Sequence, residues 1–367
     1  MRIGVPKERK PGETRVGLMP AAVKTLTSKG HEVVVEIGAG LASGIADECY
    51  QQAGAHLVAS AEEAFRADLI IKVKEPQPFE IDYLQEGQIL FTFLHLAADP
   101  NLAFALLQKK IVAIAYEMIQ DEKKQFPILL PMSRIAGRIA ALAGAYCLQF
   151  QQGGQGVLLG GLPGVSDGEV IILGAGHVGS AAAEISLGLG ALVHVLDIKE
   201  EPLQRLAFRF GAQLRTHFFV EETLESLLPR ASLLISSVLL PGRHAPKILT
   251  RRHLRHMKKG AVFADVAIDQ GGSAETSRPT THEHPIYDEE GILHYCVANM
   301  PAAYPATSTK ALTHATWPYL ELLARGKPQI ADHPFLASGV VLCHGKATHP
   351  ILAEELKIPY TPLKEAL

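Results

Sequence analysis

The chain has 367 residues, of which 47% are hydrophobic and 20% charged, an ordinary composition for a globular protein with room for two domains. Its net charge is −3 and no block of like charges would attract a nucleic acid or an anionic membrane, so the expected partner is a small molecule. The four cysteines are scattered without a Cys-x-x-Cys pair, which argues against a zinc ribbon or a disulfide framework. No apolar run reaches the ~18 residues of a membrane span, and the charged N-terminus is unlike a signal peptide, so we expect a cytoplasmic protein.

Residues 1 to about 130 alternate between short apolar strands and helices, which predicts a mostly parallel sheet. Polar side chains follow three of these strands. Arg15 lies in the loop after the first strand, Lys74 follows the strand 68–73, and His95 follows the strand 88–94. Each alone is more often a surface charge or a hydrogen-bonded core histidine. Because ligands bind beyond the carboxyl ends of parallel strands, their shared position makes the three residues candidates for one binding site.

Residues 131–148 predict a long helix with Ser133 as its N-cap and small residues that allow close packing. The glycine-rich loop 152–164 lacks the Gly-Lys-Ser/Thr of a Walker motif, so we interpret it as a flexible connection. The loop 282–284, His-Glu-His, has no third ligand nearby in sequence, so no metal site is predicted there.

The strongest motif is Gly-x-Gly-x-x-Gly at Gly174, Gly176 and Gly179, which follows an apolar strand and opens a helix of small residues. Gly174 supplies a tight turn, Gly176 lets the backbone approach a pyrophosphate, and Gly179 lets the helix pack closely on the strand. The next strand ends in Asp197, 23 positions after Gly174, where an acid can bind both ribose hydroxyls and repel a 2′-phosphate. The pattern favours NAD, while Lys199 and Arg205 keep NADP open.

The alternation continues through strands 232–238, 261–268 and 293–296 to about six strands, the number in a doubly wound dinucleotide domain. Asp269 is predicted at the end of the strand 261–268, and Asn299 follows the next strand. A helix capped by residues 307–309 then leads into a tail that we expect to return to the first domain.

The sequence therefore predicts an α/β protein of two doubly wound Rossmann-like domains with a cleft for cofactor and substrate between them. Residues 1–130 and 305–367 would form a discontinuous substrate (catalytic) domain. Residues 131–304 would form an inserted NAD-binding domain.

Short motifs spread along the chain carry a family resemblance. They are Gly4–Glu8, Glu13–Val16, Val73–Pro76, Leu94–Ala97, Pro131–Ser133, Gly160–Val165, Leu173–Gly179, Asp265–Gly272, Arg278–His282 and Val297–Pro301. With these motifs the chain resembles, over nearly its whole length, the alanine dehydrogenase family, which includes the nicotinamide-binding subunit of proton-translocating transhydrogenase. The resemblance implies a homohexamer that oxidises L-alanine to pyruvate and ammonia, reversibly, with NAD.

By the same resemblance Arg15 and Lys74 bind the substrate, and His95 and Asp269 are catalytic. It further implies cofactor contacts at Ser133, Gly174, Gly176, Gly179, Asp197, Val238, Leu239, Val266, Ala267, Ile268, Asp269, Arg278, Val297, Ala298, Asn299 and Met300. Some relatives bind magnesium through a residue that matches Glu117 and through a histidine. Arg325 occupies that histidine position here, so no metal is carried over.

Three other functions remain open at this point. The chain could be a transhydrogenase-type NAD-binding subunit, a dehydrogenase of another small amino acid or an opine, or a protein that senses NAD without turnover. Departures from the family pattern bear on cofactor affinity and on the nicotinamide pocket; they are Pro202, Phe219, Tyr304 and Ala306.

Overall fold

The structure, a computed structural model, describes residues 1–238, 244–326 and 328–367. The chain forms two compact units. Within the described residues, unit 1 contains residues 1–132 and 302–367, and unit 2 contains residues 133–238 and 244–301. No helix in the described ranges combines the length and the apolar character needed to cross a membrane.

Unit 1 is built on a sheet whose strands are numbered here along the whole chain. They are β1 (Arg2–Val5), β2 (Glu32–Glu36), β3 (His56–Val58), β4 (Leu69–Ile71), β5 (Ile89–Thr92), β6 (Val112–Ala115), β14 (Val340–Cys343) and β15 (Lys346–Ala347). Its helices are α1 (Pro20–Ser28), α2 (Asp47–Gln52), α3 (Ala61–Phe65), α4 (Pro78–Ile81), α5 (Pro100–Gln108), α11 (Pro305–Leu323), α12 (Pro328–Asp332), α13 (Pro334–Ser338), α14 (Pro350–Leu356) and α15 (Leu363–Ala366).

The strand order of this sheet is β3-β2-β1-β4-β5-β6-β14-β15. Strands β1 to β6 are all parallel, and β14 pairs with β6 in the antiparallel direction. Every residue of β5 and β6 is buried, as expected for parallel strands covered on both faces. The order 3-2-1-4-5-6 of the parallel strands is that of a doubly wound fold.

Unit 2 has a second sheet of the same kind. Its strands are β7 (Glu169–Leu173), β8 (Leu192–Asp197), β9 (Leu214–Phe218), β10 (Ala231–Ser236), β11 (Val262–Asp265), β12 (Ile286–Glu289) and β13 (Ile292–Tyr295). Helix α6 (Leu129–Cys147) leads into this unit, and its other helices are α7 (His177–Gly188), α8 (Glu200–Phe210), α9 (Glu221–Leu227) and α10 (Arg251–Arg255).

The order β9-β8-β7-β10-β11-β13 again runs 3-2-1-4-5-6, with β12 added in the antiparallel direction at the edge. Side chains of β7 alternate between two cores. Val170 and Ile172 pack in a cluster with residues of α6, α7 and α8, whereas Ile171 and Leu173 pack in a cluster with residues of α9 and α10. Both faces of the sheet are therefore covered, and the predicted pair of doubly wound Rossmann-like folds is confirmed.

Local sequence signals account for several helix starts. Asp99 caps α5 by accepting the Leu102 N–H at 3.1 Å, and Pro100 occupies the first helical position, where its missing N–H is no loss. In the same way the Ser60 hydroxyl caps α3.

Three predicted boundaries were wrong. Helix α6 begins at Leu129, so Ser133 lies inside it and is not its N-cap, because Pro131 is tolerated in the first turn. Helix α11 begins at Pro305 for the same reason, and residues 307–309 are interior. Strand β11 ends at Asp265, and residues 266–270 form a 3₁₀ helix.

Candidate active site

The three glycines of the fingerprint have the geometry that a dinucleotide requires. Gly174 has φ 101°, a region open to glycine, and a Cβ there would lie 2.7 Å from Ser237 Oγ. A Cβ on Gly179 would lie 1.8 Å from the carbonyl oxygen of Gly174, so α7 packs on β7 at a distance that excludes any side chain. A Cβ on Gly176 would meet nothing within 4 Å. The space beside the N-terminus of α7 is therefore open and suits a pyrophosphate.

Asp197 ends β8 beside this turn. Its carboxylate accepts the Ala175 N–H at 2.7 Å and the Lys199 N–H at 2.8 Å. A carboxylate has about four acceptor positions, so it retains capacity for ribose hydroxyls. Arg205, which kept NADP open, pairs with Glu201 at 3.1 Å on the surface of α8.

The segment after β11 is a turn because the Asp265 side chain competes for its N–H groups. The buried carboxylate accepts the N–H of Ala267 at 3.1 Å, the N–H of Ser273 at 2.7 Å and the hydroxyl of Ser277 at 2.6 Å. Burial raises the pKa of Asp265, and these hydrogen bonds act in the opposite direction. Asp269 therefore lies on a 3₁₀ helix. The prediction that it lies at the end of a strand was wrong.

The structure brings Asp269 and Asn299 together. Asn299 has φ 59°, and its N–H donates to Asp269 Oδ1 at 3.0 Å. Arg278 lies in the same unit with its guanidinium carbon 4.0 Å from the centre of the Tyr287 ring.

The remaining predicted cofactor contacts fall into three groups. Ser133 is half-buried on α6, and Val238 follows β10. The turns after β11 and β13 hold Val266, Ala267, Ile268, Val297, Ala298 and Met300. Leu239 lies outside the described residues.

Arg15, in unit 1, is held in a buried ion pair that we did not predict. Its side chain is 2% exposed. Glu13 accepts from Arg15 Nε at 2.8 Å and from Nη2 at 2.6 Å, which is a bidentate pair, and Nη1 lies 3.1 Å from the sulfur of Met132. The spacing Glu-x-Arg is the sequence signal that could have suggested this pair. Glu13 sets the plane of the guanidinium and thereby the direction in which its N–H groups point.

Lys74 and His95 each lie near the ring of Phe93. Lys74 Nζ lies 6.0 Å from the centre of the Phe93 ring, and the His95 imidazole stacks on the same ring with centroids 5.8 Å apart. The sequence predicts only a strand at Phe93 and gives no sign of these contacts. Two of the three predicted substrate-side residues therefore lie beside the same aromatic side chain.

His95 adopts a left-handed backbone conformation, with φ 49°. The Glu117 carboxylate supports this conformation by accepting the His95 N–H at 2.6 Å and the Leu94 N–H at 3.3 Å. His95 Nδ1 lies 3.9 Å from the same carboxylate oxygen. Consecutive N–H groups of this kind form a site for an anion, and here the anion is a side chain of the protein.

In the described part of the chain, one group places three potential metal-ligand atoms within 4.8 Å of one another: Glu221, Glu225 and His253. His253 Nδ1 accepts the Thr250 N–H at 3.2 Å, so a neutral imidazole carries its proton on Nε2 and donates to Glu221 at 2.9 Å. The geometry favours a hydrogen-bonded histidine over a metal ligand.

Comparison with known proteins places these features in one family. The family model "Alanine dehydrogenase/PNT, N-terminal domain" matches residues 4–136, and "Alanine dehydrogenase/PNT, C-terminal domain" matches residues 140–350. The chain is 47% identical to the alanine dehydrogenase of Methanococcus maripaludis, with 100% of both chains covered.

Solved structures agree. An L-alanine dehydrogenase structure has 44% identity and a TM-score of 0.93, covering 97% of this chain and 99% of that one. A transhydrogenase structure from Sinorhizobium meliloti, 24% identical, shares the fold with a TM-score of 0.82 over 95% of this chain and 100% of that one. The resemblance inferred from the motifs is confirmed: the chain belongs to the alanine dehydrogenase/PNT family.

Proposed function

We propose that this protein catalyses the reversible, NAD-dependent oxidative deamination of L-alanine to pyruvate and ammonia. The observation that carries the proposal is the full-length similarity, at 47% identity, to an alanine dehydrogenase. The open space beside Gly176 at the N-terminus of α7 and the hydrogen-bonded carboxylate of Asp197 suit NAD. In this proposal residues 1–130 and 305–367 hold the substrate, and residues 131–304 hold the cofactor.

Oxidation of an amino acid requires an anchor for its carboxylate. We assign this role to Arg15, because a guanidinium binds a carboxylate through two parallel hydrogen bonds and Glu13 already fixes its plane. Lys74 adds a compact positive charge, which in the reverse direction can polarise the carbonyl oxygen of pyruvate.

The reaction also requires proton transfers at the amine and at the water that attacks the iminium. We assign these to His95, which Phe93 and Glu117 hold in one orientation. Asp269 can hold the ammonium or iminium group by charge, with its carboxylate oriented by the Asn299 N–H. When bound, NAD supplies the acceptor for the hydride from the α-carbon.

A panel of amino acids and 2-oxo acids with NAD and NADP tests the proposal. L-alanine with NAD should give the highest rate of nicotinamide reduction, and His95→Ala should lower kcat by at least about 100-fold. Faster turnover of another amino acid or of an opine would show that L-alanine is not the preferred substrate. NAD binding without any substrate-dependent reduction would leave a sensor or a transhydrogenase-type subunit.

Three further points are expectations that accompany the proposal. They are the homohexamer, the cytoplasmic location and the cleft that would hold both ligands. Light scattering of the purified protein measures the first directly.

A further inference from the structure

The carboxylate of Glu8 joins the two segments that carry Arg15 and Lys74. Glu8 lies in the loop after β1, seven residues before Arg15, and is 8% exposed. The side chains of Glu8 and Arg15 line the same cavity, of about 160 Å³, in unit 1. The proposed mechanism gives Glu8 no role.

Glu8 bonds to the backbone of the Lys74 segment where strand pairing stops. The β1–β4 ladder ends with Gly4 opposite Ile70, and Pro6 has no N–H to extend it. Beyond that point Glu8 Oε1 accepts the Val73 N–H at 2.6 Å. A side-chain carboxylate thus takes the place of a strand carbonyl directly before Lys74.

The other edge of the segment is held by β5. Lys72 N–H donates to the Phe91 carbonyl, and Phe93 N–H donates to the Val73 carbonyl, each at 3.2 Å. The segment that ends at Lys74 is therefore bonded to Glu8 on one side and to β5 on the other, where the Thr92 hydroxyl also donates to the Lys74 carbonyl at 3.0 Å.

Glu8 is fixed in turn by a buried cation. Lys72 is 0% exposed, and its ammonium lies 3.2 Å from Glu8 Oε2 and 3.1 Å from Glu80 Oε1. A desolvated ammonium requires such partners, so Glu8 cannot swing away without leaving a buried charge poorly paired. Burial raises the pKa of Glu8 to about 7, against the lowering effect of Lys72.

We infer that Glu8 is a positioning residue that holds Lys74 in register with the Arg15 loop, so that both cations can engage one substrate carboxylate. The inference rests on the proposed function. Its basis is geometric: a displacement of about 1 Å in a binding group can cost about 100-fold in rate.

The test compares Glu8→Met, which removes the oxygen that accepts the Val73 N–H, with the matched control Glu80→Met. Each substitution removes one of the two carboxylates that neutralise Lys72. Only Glu8 bonds to Val73, since Glu80 Oε2 instead accepts the Gln77 N–H at the start of α4, at 2.7 Å. The measurements are KM for pyruvate, kcat, Kd for NADH and the melting temperature of the full-length protein.

We expect Glu8→Met to raise KM for pyruvate about tenfold or more while the Kd for NADH stays within about twofold. Glu80→Met should lower the melting temperature but leave KM for pyruvate within about twofold. Glu8→Asp, which keeps the charge near Lys72 but shortens the reach to Val73, replaces Glu8→Met if that variant does not fold, with the same expected rise in KM.

An unchanged KM in the Glu8 variant, or an equal rise in both variants, would overturn the inference and leave a purely structural role. Absence of turnover in the unmodified protein would overturn the proposed function, and the inference with it. The two failures are therefore distinguishable.

Discussion

Substitution of each of three glycines by alanine separates what the fingerprint does for folding from what it does for binding. Gly179→Ala places a Cβ 1.8 Å from the Gly174 carbonyl oxygen, about 1.6 Å short of the ~3.4 Å of a normal carbon–oxygen contact. A Cβ added at Gly176 or at Gly188 would have no other atom within 4 Å, and neither position requires a left-handed φ. The three sites lie on or beside the same helix, α7.

Gly179→Ala should reduce both stability and NAD affinity. The obstructing atom belongs to the backbone and cannot rotate away, so we expect the upper part of the overpacking range, about 3 kcal/mol. The displacement of α7 should also raise the Kd for NADH at least tenfold.

The other two variants are the controls. Gly176→Ala should keep the free energy of unfolding within about 1 kcal/mol but raise the Kd for NADH about tenfold, because its methyl group fills the pyrophosphate space. Gly188→Ala should stabilise the protein by about 0.5–1 kcal/mol without affecting binding.

Urea unfolding and NADH fluorescence titration measure the two quantities. Normal stability in Gly179→Ala would refute the packing argument. Unchanged NADH affinity in Gly176→Ala would refute the placement of the pyrophosphate beside this residue.

Three further predictions concern charged groups. Lys72→Met leaves buried carboxylates unpaired and should lower the free energy of unfolding by about 3–5 kcal/mol at pH 8. The loss should be smaller at pH 5, because Glu8 is protonated there. An equal loss at both pH values, measured by urea unfolding, would contradict this prediction. Burial, with His217 beside it, lowers the pKa of His194 to about 4, below the unfolded value of 6.5. Stability present above pH 6.5 should therefore fall by about 1–2 kcal/mol, after allowance for solvent screening, between about pH 6.5 and pH 4. If a His194→Gln variant lost the same amount of stability over this pH range, the loss would not come from His194. Asp197→Ala should raise KM for NAD about tenfold and shift the kcat/KM ratio towards NADP; an unchanged ratio would show that another group selects the cofactor.

Local signals in the sequence sufficed for the fold and for the cofactor fingerprint. Alternating apolar runs mark parallel strands, and the spacing of the glycines at 174, 176 and 179 marks the turn between a strand and a helix. The family motifs also singled out Arg15, Lys74, His95 and Asp269 as candidates, and their roles stay predictions.

Local signals failed where a hydrogen bond between a side chain and a more distant backbone group fixed the conformation. The apolar run 261–268 looks like one strand, yet Asp265 accepts N–H groups as distant as that of Ser273 and so converts its end into a turn. Likewise nothing near His95 in the sequence indicates that Glu117 stabilises its left-handed conformation.

The pairings around the candidate substrate site were decided by the tertiary structure. Glu8 and Val73 are 65 residues apart, and Phe93 contacts Lys74 from the adjacent strand segment. Such contacts depend on which strands become neighbours and on which charges must be buried together. A periodic pattern in the sequence indicates which face of each element is buried. It does not indicate these partners, because they become neighbours only when the sheet forms.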